Sequence, residues 1–170
     1  MFKGCATALI TPFREDGEID EEGLRELVRM QEKAGVDALV PCGTTGESAT
    51  LTHKEHIKVI GIVREEAKKA KVIAGAGSNA THEAIHLSKG AKDLGVDGVL
   101  LISPYYNKPN QKGIFRHYEA IAKAVDVPIV VYNVPSRTGS NITAATIKRL
   151  SEVPNIVAVK EASGNIAQIN

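Results

Sequence analysis

The chain has 170 residues, of which 43% are hydrophobic and 24% charged, with a formal net charge of +1. That length suggests one domain, and the balance is that of a soluble globular protein. A near-neutral total excludes a global field that would favour nucleic acid or an anionic membrane, and no apolar run is long enough to span a bilayer.

Neither cysteine, Cys5 or Cys42, has a CxxC partner or a His/Cys cluster nearby, so neither a disulfide nor a metal is expected, and no cofactor. A reducing cytoplasm fits. The N-terminal stretch MFKGCATALITPF lacks the longer apolar run and small-residue cleavage site of a signal peptide.

Taken in order, Ala6 to Ile10 is an apolar run stopped by Thr11 and Pro12 and reads as strand one. A helix starts at about Asp20, with Leu24, Leu27, Val28 and Gln31 on one face at helical spacing. Gly35 stops it. Ala38 to Val40 is strand two, running into the turn Cys42-Gly43-Thr44-Thr45-Gly46-Glu47. A second helix covers about Lys54 to Ala70, followed by strand three, Val72 to Ala76. A third helix runs from about Thr81 to Leu94, and strand four from Gly98 to Ile102. The pattern predicts a fourth helix over Gly113 to Ala124, strand five over Ile129 to Tyr132 and a fifth helix over Ala144 to Ser151. Strand six begins at Ile156, after Pro154.

Strand and helix patterns alternate throughout, which is the signature of a parallel α/β sheet. An internal echo supports repeated units: Ala34-Gly35-Val36-Asp37-Ala38-Leu39-Val40 resembles Leu94-Gly95-Val96-Asp97-Gly98-Val99-Leu100. A period of roughly 30 residues matches a (β/α)8 TIM barrel of about 250 residues. The other architecture of this kind is an open doubly wound sheet, and the segment VIAGAGSNAT argues for it. Gly75, Gly77 and Ala80 there imitate a dinucleotide fingerprint. The acidic residue that motif requires after the next strand is missing, since strand four ends in Ser103-Pro104. The alternative is a tight βα turn in which glycine lets backbones pack closely.

Strand six reads IVAVKEASGN and is expected to be buried, yet it ends on Lys160. Burying an ammonium is costly. Either the side chain snorkels to water, or it is a desolvated amine whose pKa falls until it can attack a carbonyl. The rest of the chain favours the second reading. Thr44 and Thr45 follow strand two, Tyr105 and Tyr106 strand four, and Tyr132 and Arg137 strand five. In a barrel these strand ends share one face, the face where barrel active sites are built. Singly, these are ordinary turn formers, rim tyrosines and a solvated arginine. Together they suit carbonyl activation by the amine, proton relay by tyrosine and a carboxylate held by arginine.

Four segments, GTTGESATL (43–51), SPYYNKP (103–109), YNVPSRTG (132–139) and VKEASGN (159–165), resemble the dihydrodipicolinate synthase family, part of the pyruvate-dependent aldolase superfamily that includes N-acetylneuraminate lyase. The resemblance runs from about Gly4 to the last residue. It implies a (β/α)8 barrel with a helical C-terminal extension, a tetramer built from two tight dimers, and no cofactor. It also implies condensation of pyruvate with L-aspartate 4-semialdehyde through a lysine Schiff base, giving 4-hydroxy-tetrahydrodipicolinate in the diaminopimelate route to lysine. On matched positions it implies that Lys160 forms the pyruvate imine and that Tyr132 relays protons with Thr44 and Tyr106, the latter reaching in from the neighbouring subunit. Thr45 is implied to hold the pyruvate carboxylate and Arg137 that of the semialdehyde. Ser48, Ala49, His53, His56, Asn79, Glu83 and Tyr105 match positions lining an L-lysine inhibitor site in the family. The sialic acid lyases typically carry serine at the first threonine and lack the arginine, which makes a lyase the second enzymatic reading. Residues 1–170 cover about six β/α units. On that count strands seven and eight and the extension are absent, which leaves an inactive self-associating fragment as a third reading.

Overall fold

The computed structural model describes residues 2–170. They pack as two compact units, one up to Gly75 together with Gly90–Gly98, the other Ala76–Lys89 together with Val99–Asn170.

The first unit contains β1 (Ala6–Ala8), α1 (Glu21–Lys33), β2 (Ala38–Val40), a single 3-10 turn (Ser48–Thr50), α2 (His53–Glu66) and β3 (Lys71–Gly75). Its strands are parallel in the order β1-β2-β3, with Ala6 opposite Ala38 and Ala38 opposite Lys71. α1 starts where the Asp20 carboxylate accepts the Gly23 N–H at 3.0 Å, and its apolar stripe buries Leu24 and Val28. Strand one stops short of Ile10, whose side chain is 55% exposed.

The second helix ends four residues before the expected Ala70. One oxygen of Glu32, on α1, accepts the N–H groups of Lys68, Lys69 and Ala70 at 2.9, 2.8 and 2.8 Å. Three consecutive donors pointing at one carboxylate lie outside an i→i−4 ladder, so this anchor replaces the last helical turn.

The Gly-Val-Asp echo has a mechanical meaning. Gly35 and Gly95 both take the left-handed conformation, φ 82° and 77°, that ends a helix at no side-chain cost. The aspartates that follow do the same work: Asp37 Oδ2 accepts the Cys5 N–H at 2.8 Å and Asp97 Oδ2 accepts the Val72 N–H at 2.9 Å. Each ties the start of an earlier strand to the turn leading into the next.

The second unit takes most of α3 (Thr81–Asp93) and β4 (Gly98–Ile102), then α4 (Gln111–Ala124), β5 (Ile129–Asn133), α5 (Pro135–Thr138), α6 (Ala144–Leu150), β6 (Ile156–Glu161) and α7 (Ile166–Ile169). Its strands are parallel in the order β4-β5-β6. β5 is buried along its whole length, and the buried Tyr118 of α4 donates its hydroxyl to Leu101 O at 2.9 Å. The short helices α5 and α7 and the 3-10 turn carry too few apolar repeats to register as periodic segments, and the sequence pattern missed them.

Strand six departs from expectation. It was to be buried, but of its six residues only Ile156 is, and Val159 is 42% exposed. Among the described residues β6 has a ladder to β5, and within residues 2–170 its other edge is unpaired. The glycine-rich βα turn is a packing device: a Cβ at Gly75 would strike the Cys42 carbonyl, and one at Gly77 would strike the Ile102 N–H. That close approach accounts for the glycines as backbone contacts.

Candidate active site

The second unit brings two predicted residues into direct contact. β5 and β6 place Tyr132 opposite Lys160, and the Lys160 ammonium lies 4.4 Å from the Tyr132 ring centroid. The ring is itself buried, 8% exposed. Lys160 is exposed as a residue, and the partial burial its amine does have lowers its pKa below the ordinary lysine value. A cation over an aromatic face is attracted to the ring and held in place. The pair therefore presents an amine with an enlarged neutral fraction beside a phenol, the two groups needed to attack a carbonyl and move its protons.

Arg137 and Tyr106 are positioned by one turn system. Pro135 opens α5, and the Thr138 hydroxyl donates to Val134 O at 3.2 Å and Ser140 O at 2.8 Å. The Tyr106 N–H donates to Thr138 O at 3.4 Å. This ties the Tyr105-Tyr106 turn to the helix that carries Arg137. Tyr106 has φ 71° and is 89% exposed, a side chain held outward by a left-handed residue. Arg137 is exposed at the end of α5.

Thr44 and Thr45 belong to the first unit, both exposed in the turn after β2. Cys42 and Glu47 flank them with φ 54° and 55°, and Gly46 N–H bonds Gly43 O at 3.1 Å. Thr11 ties that turn down by donating to Gly46 O at 2.7 Å. Beside the turn the Cys42 thiol is buried and pushed up to about 12, so it stays a neutral, inert thiol.

The seven residues matched to an inhibitor site divide between the units. Ser48, Ala49, His53 and His56 lie in the first; Asn79, Glu83 and Tyr105 lie in the second. Ser48 and Ala49 form the 3-10 turn, and His53 is exposed at the start of α2. His56 is buried, and its Nε2 is 2.7 Å from Gly75 O, so that nitrogen is already engaged. Glu83 accepts a hydrogen bond from Ser78 Oγ at 2.6 Å, and Asn79 O accepts one from Asn107 at 3.2 Å.

Sequence reasoning missed the residues that stand next to the Tyr132–Lys160 pair. Asn133 and Glu161 follow Tyr132 and Lys160 on their strands and are opposite each other. Asn133 Nδ2 donates to both Glu161 oxygens at 3.0 Å, and Asn141 and Gln168 join the cluster. The signal was present in the quoted motifs, where each of the two is followed by a polar residue, Tyr-Asn and Lys-Glu. Among the described residues no three His, Cys, Asp or Glu side chains gather as a metal could require, and no helix is long and apolar enough to cross a membrane.

The model of the dihydrodipicolinate synthetase family matches residues 1–170. A 4-hydroxy-tetrahydrodipicolinate synthase of Citrifermentans bemidjiense is 57% identical over 169 residues, 99% of this chain and 58% of that protein. Among solved structures, the dihydrodipicolinate synthase of Aquifex aeolicus superposes with a TM-score of 0.96 at 51% identity, covering 99% of this chain and 58% of the other. The chloride-inhibited dihydrodipicolinate synthase of Acinetobacter baumannii, complexed with pyruvate, gives 0.97 at 46% identity over 99% and 58%. A relative from Cyanidioschyzon merolae with lysine bound gives 0.94 at 48% identity over 97% and 57%. The chain thus spans under three fifths of the length of the relatives it matches. The α/β fold class with barrel-type β/α units stands, and these relatives are synthases by name.

Proposed function

The chain belongs to the dihydrodipicolinate synthetase family, and from that premise we propose that its site joins pyruvate to L-aspartate 4-semialdehyde through an imine on Lys160. The single observation that carries this reading is the Lys160 amine, its pKa lowered by burial, 4.4 Å from the Tyr132 ring centroid. The neutral nitrogen donates its electron pair to the ketone carbon of pyruvate, and the carbonyl oxygen leaves as water after two proton transfers. Tyr132, whose ring lies beneath the amine, supplies the hydroxyl for those transfers, with Thr44 and Tyr106 as its proposed relay partners. Loss of a methyl proton from the imine gives an enamine, whose carbon adds to the aldehyde of the second substrate, leaving a hydroxyl and an imine still on Lys160; the amino group of the semialdehyde then attacks that imine carbon, expels the Lys160 amine and closes the ring. The product is 4-hydroxy-tetrahydrodipicolinate, a step of lysine biosynthesis. Thr45 holds the pyruvate carboxylate, and Arg137 takes that of the semialdehyde with its two-pronged guanidinium. Arg137→Lys keeps the charge and loses the fork, so it should weaken apparent affinity for the semialdehyde more than for pyruvate.

The pyruvate complex of one relative supports the first substrate, and the lysine complex of another supports regulation by L-lysine. In this reading Ser48, Ala49, His53, Asn79, Glu83 and Tyr105 meet the amino acid, while His56 backs them, its Nε2 being engaged by Gly75. Isothermal titration with L-lysine checks this: no binding at millimolar ligand would remove the inhibitor site. The same reading makes the protein a cytoplasmic homotetramer, a dimer of dimers exchanging Tyr106. The 89% exposure of that tyrosine supports the exchange, and sedimentation of Tyr106→Ala against the parent tests it.

The deciding experiment for the reaction is borohydride reduction in the presence of pyruvate. A stable adduct should appear on the peptide containing Lys160 and vanish in Lys160→Ala. Labelling that persists unchanged in that variant would overturn the assignment.

A further inference from the structure

The densest polar cluster of the second unit lies one residue beyond the Tyr132–Lys160 pair. Strand side chains alternate, so Asn133 and Glu161 stand on the opposite face of the sheet from that pair. Asn133 is fully buried. Its Nδ2 donates to both Glu161 oxygens at 3.0 Å and to Asn141 Oδ1 at 2.9 Å, and its Oδ1 accepts the Ile142 N–H at 3.0 Å. Glu161 also accepts the Ser163 N–H at 2.8 Å and Gln168 Nε2 at 3.2 Å. Gln168 Oε1 in turn accepts from Asn141 at 2.7 Å. Five segments meet there: the ends of β5 and β6, the loop before α6, the turn after β6, and α7.

Two observations give this cluster a task. The β5–β6 register shifts at Ile129/Val130: Ile129 faces Ile156, but Val130 faces Ala158, so Val157 is an extra residue in β6. A bulge is a place where register can be gained or lost, and a slip of one residue turns every later side chain to the other face. Lys160 would then stand where Glu161 is. Beyond that shift the pairing runs unbroken to Asn133 opposite Glu161, so the cluster joins the two strands at the last pair after the bulge.

We infer that Asn133 and Glu161 form the register lock of the site, positioning residues that keep Lys160 over the Tyr132 ring without touching the reacting atoms. The placement also explains how a carboxylate can neighbour a reactive amine. Its charge lies on the far face, taken up by N–H donors, and burial remains the influence on the amine.

The inference rests on Lys160 being the reactive amine, but its test needs no pyruvate, so the two can fail separately. The probe is trace acetic anhydride applied over a pH series, with acetylation of each lysine read by peptide mass spectrometry. Exposed Lys54 and Lys112 serve as internal standards. Asn133→Asp sets two carboxylates together, and Glu161→Gln sets amide donors against the Asn133 amide and the Ser163 N–H. Either should move the Lys160 labelling midpoint up toward the standards and cut its labelling severalfold at about pH 8. The double variant exchanges carboxylate and amide between the strands and should restore the parent profile. Gln168→Met removes one donor outside both strands and should give the same shift, smaller, even where a single strand variant fails to fold. Lowered unfolding midpoints with an unchanged Lys160 profile would reduce the pair to structural support and overturn the inference. So would a double variant that regains stability but not the profile.

Discussion

β5 and β6 are neighbours in one sheet, carry Tyr132 and Lys160 opposite each other, and differ in how far residues 2–170 cover them. β5 is apolar and buried from Ile129 to Asn133, so Tyr132 is fixed by packing on both faces of its strand. β6 has similar composition over Ile156 to Val159 and is mostly uncovered. Val131 and Val159 face each other across the ladder, yet one is 1% exposed and the other 42%. Within residues 2–170 Lys160 is held by directional bonds: the ladder, the bulge and the Asn133–Glu161 cluster. The phenol stands on a strand that packing has made rigid. The amine stands on one that hydrogen bonds keep in register.

The largest effect expected from breaking this pair is on chemistry. Tyr132→Phe keeps the ring beneath the Lys160 ammonium and removes the proton relay. If the phenol works as proposed, the rate of borohydride-trappable imine formation with pyruvate should fall roughly 10²–10⁴-fold. The Lys160 labelling midpoint should stay near that of the parent, because the ring that covers the amine is unchanged. An unchanged trapping rate would leave the β5 side of the pair with a packing role alone.

How much of this could be read from the sequence follows the same contrast. Elements whose stability comes from apolar burial were legible: β2 and β4 have the boundaries that their apolar runs indicate, and α1 starts at its capping aspartate. Elements fixed by a single distant polar contact were not. Nothing local in AKKAK says that the helix ends before it, because the cause is Glu32, far away on α1. The burial of β6 was misread for a related reason. An apolar run reports what a strand could bury, while its neighbours decide what it does bury. Within the candidate site, Lys160 stood out because an amine at the end of an apolar run is anomalous, and the structure brings it to Tyr132. Asn133 and Glu161 were passed over because a polar residue at a strand end looks like the beginning of a loop.

The next largest effect tests the covered side of the second unit through pH. His117 on α4 is 5% exposed, its Nδ1 is 2.9 Å from Thr81 Oγ1, and its Nε2 has no partner. Burial pushes its pKa from the ordinary 6.5 down to about 4. The unfolded chain takes up a proton below pH 6.5 that the folded chain refuses, so stability is complete above that value. It is lost as pH falls through this window, and flattens once both states are protonated. The loss between pH 6.5 and 4 should reach about 3 kcal/mol. Urea unfolding of His117→Gln should show a clearly shallower decline. Some slope should remain, because burial also lowers the pKa of His56 in the first unit. A decline identical to the parent's would mean that this imidazole is charged in the folded protein.

The smallest effect is the most direct test of the contrast between the strands, because it applies one substitution to both sides of one cross-strand pair. Val131→Ala removes two methyl groups from a site 1% exposed, inside a strand buried along its length. The lost transfer energy and the space left behind should together cost about 2 kcal/mol. Val159→Ala removes the same atoms from a side chain 42% exposed, where water already meets part of the surface, and should cost no more than about 0.5 kcal/mol. Alanine also lowers β preference, and because that term differs between the central β5 and the edge β6 by less than about 1 kcal/mol, it does not erase the expected gap. Parallel urea unfolding of the two variants gives the comparison. Equal losses would mean that β6 is covered in solution as fully as β5, and that Lys160 then owes its place to packing rather than to its polar lock.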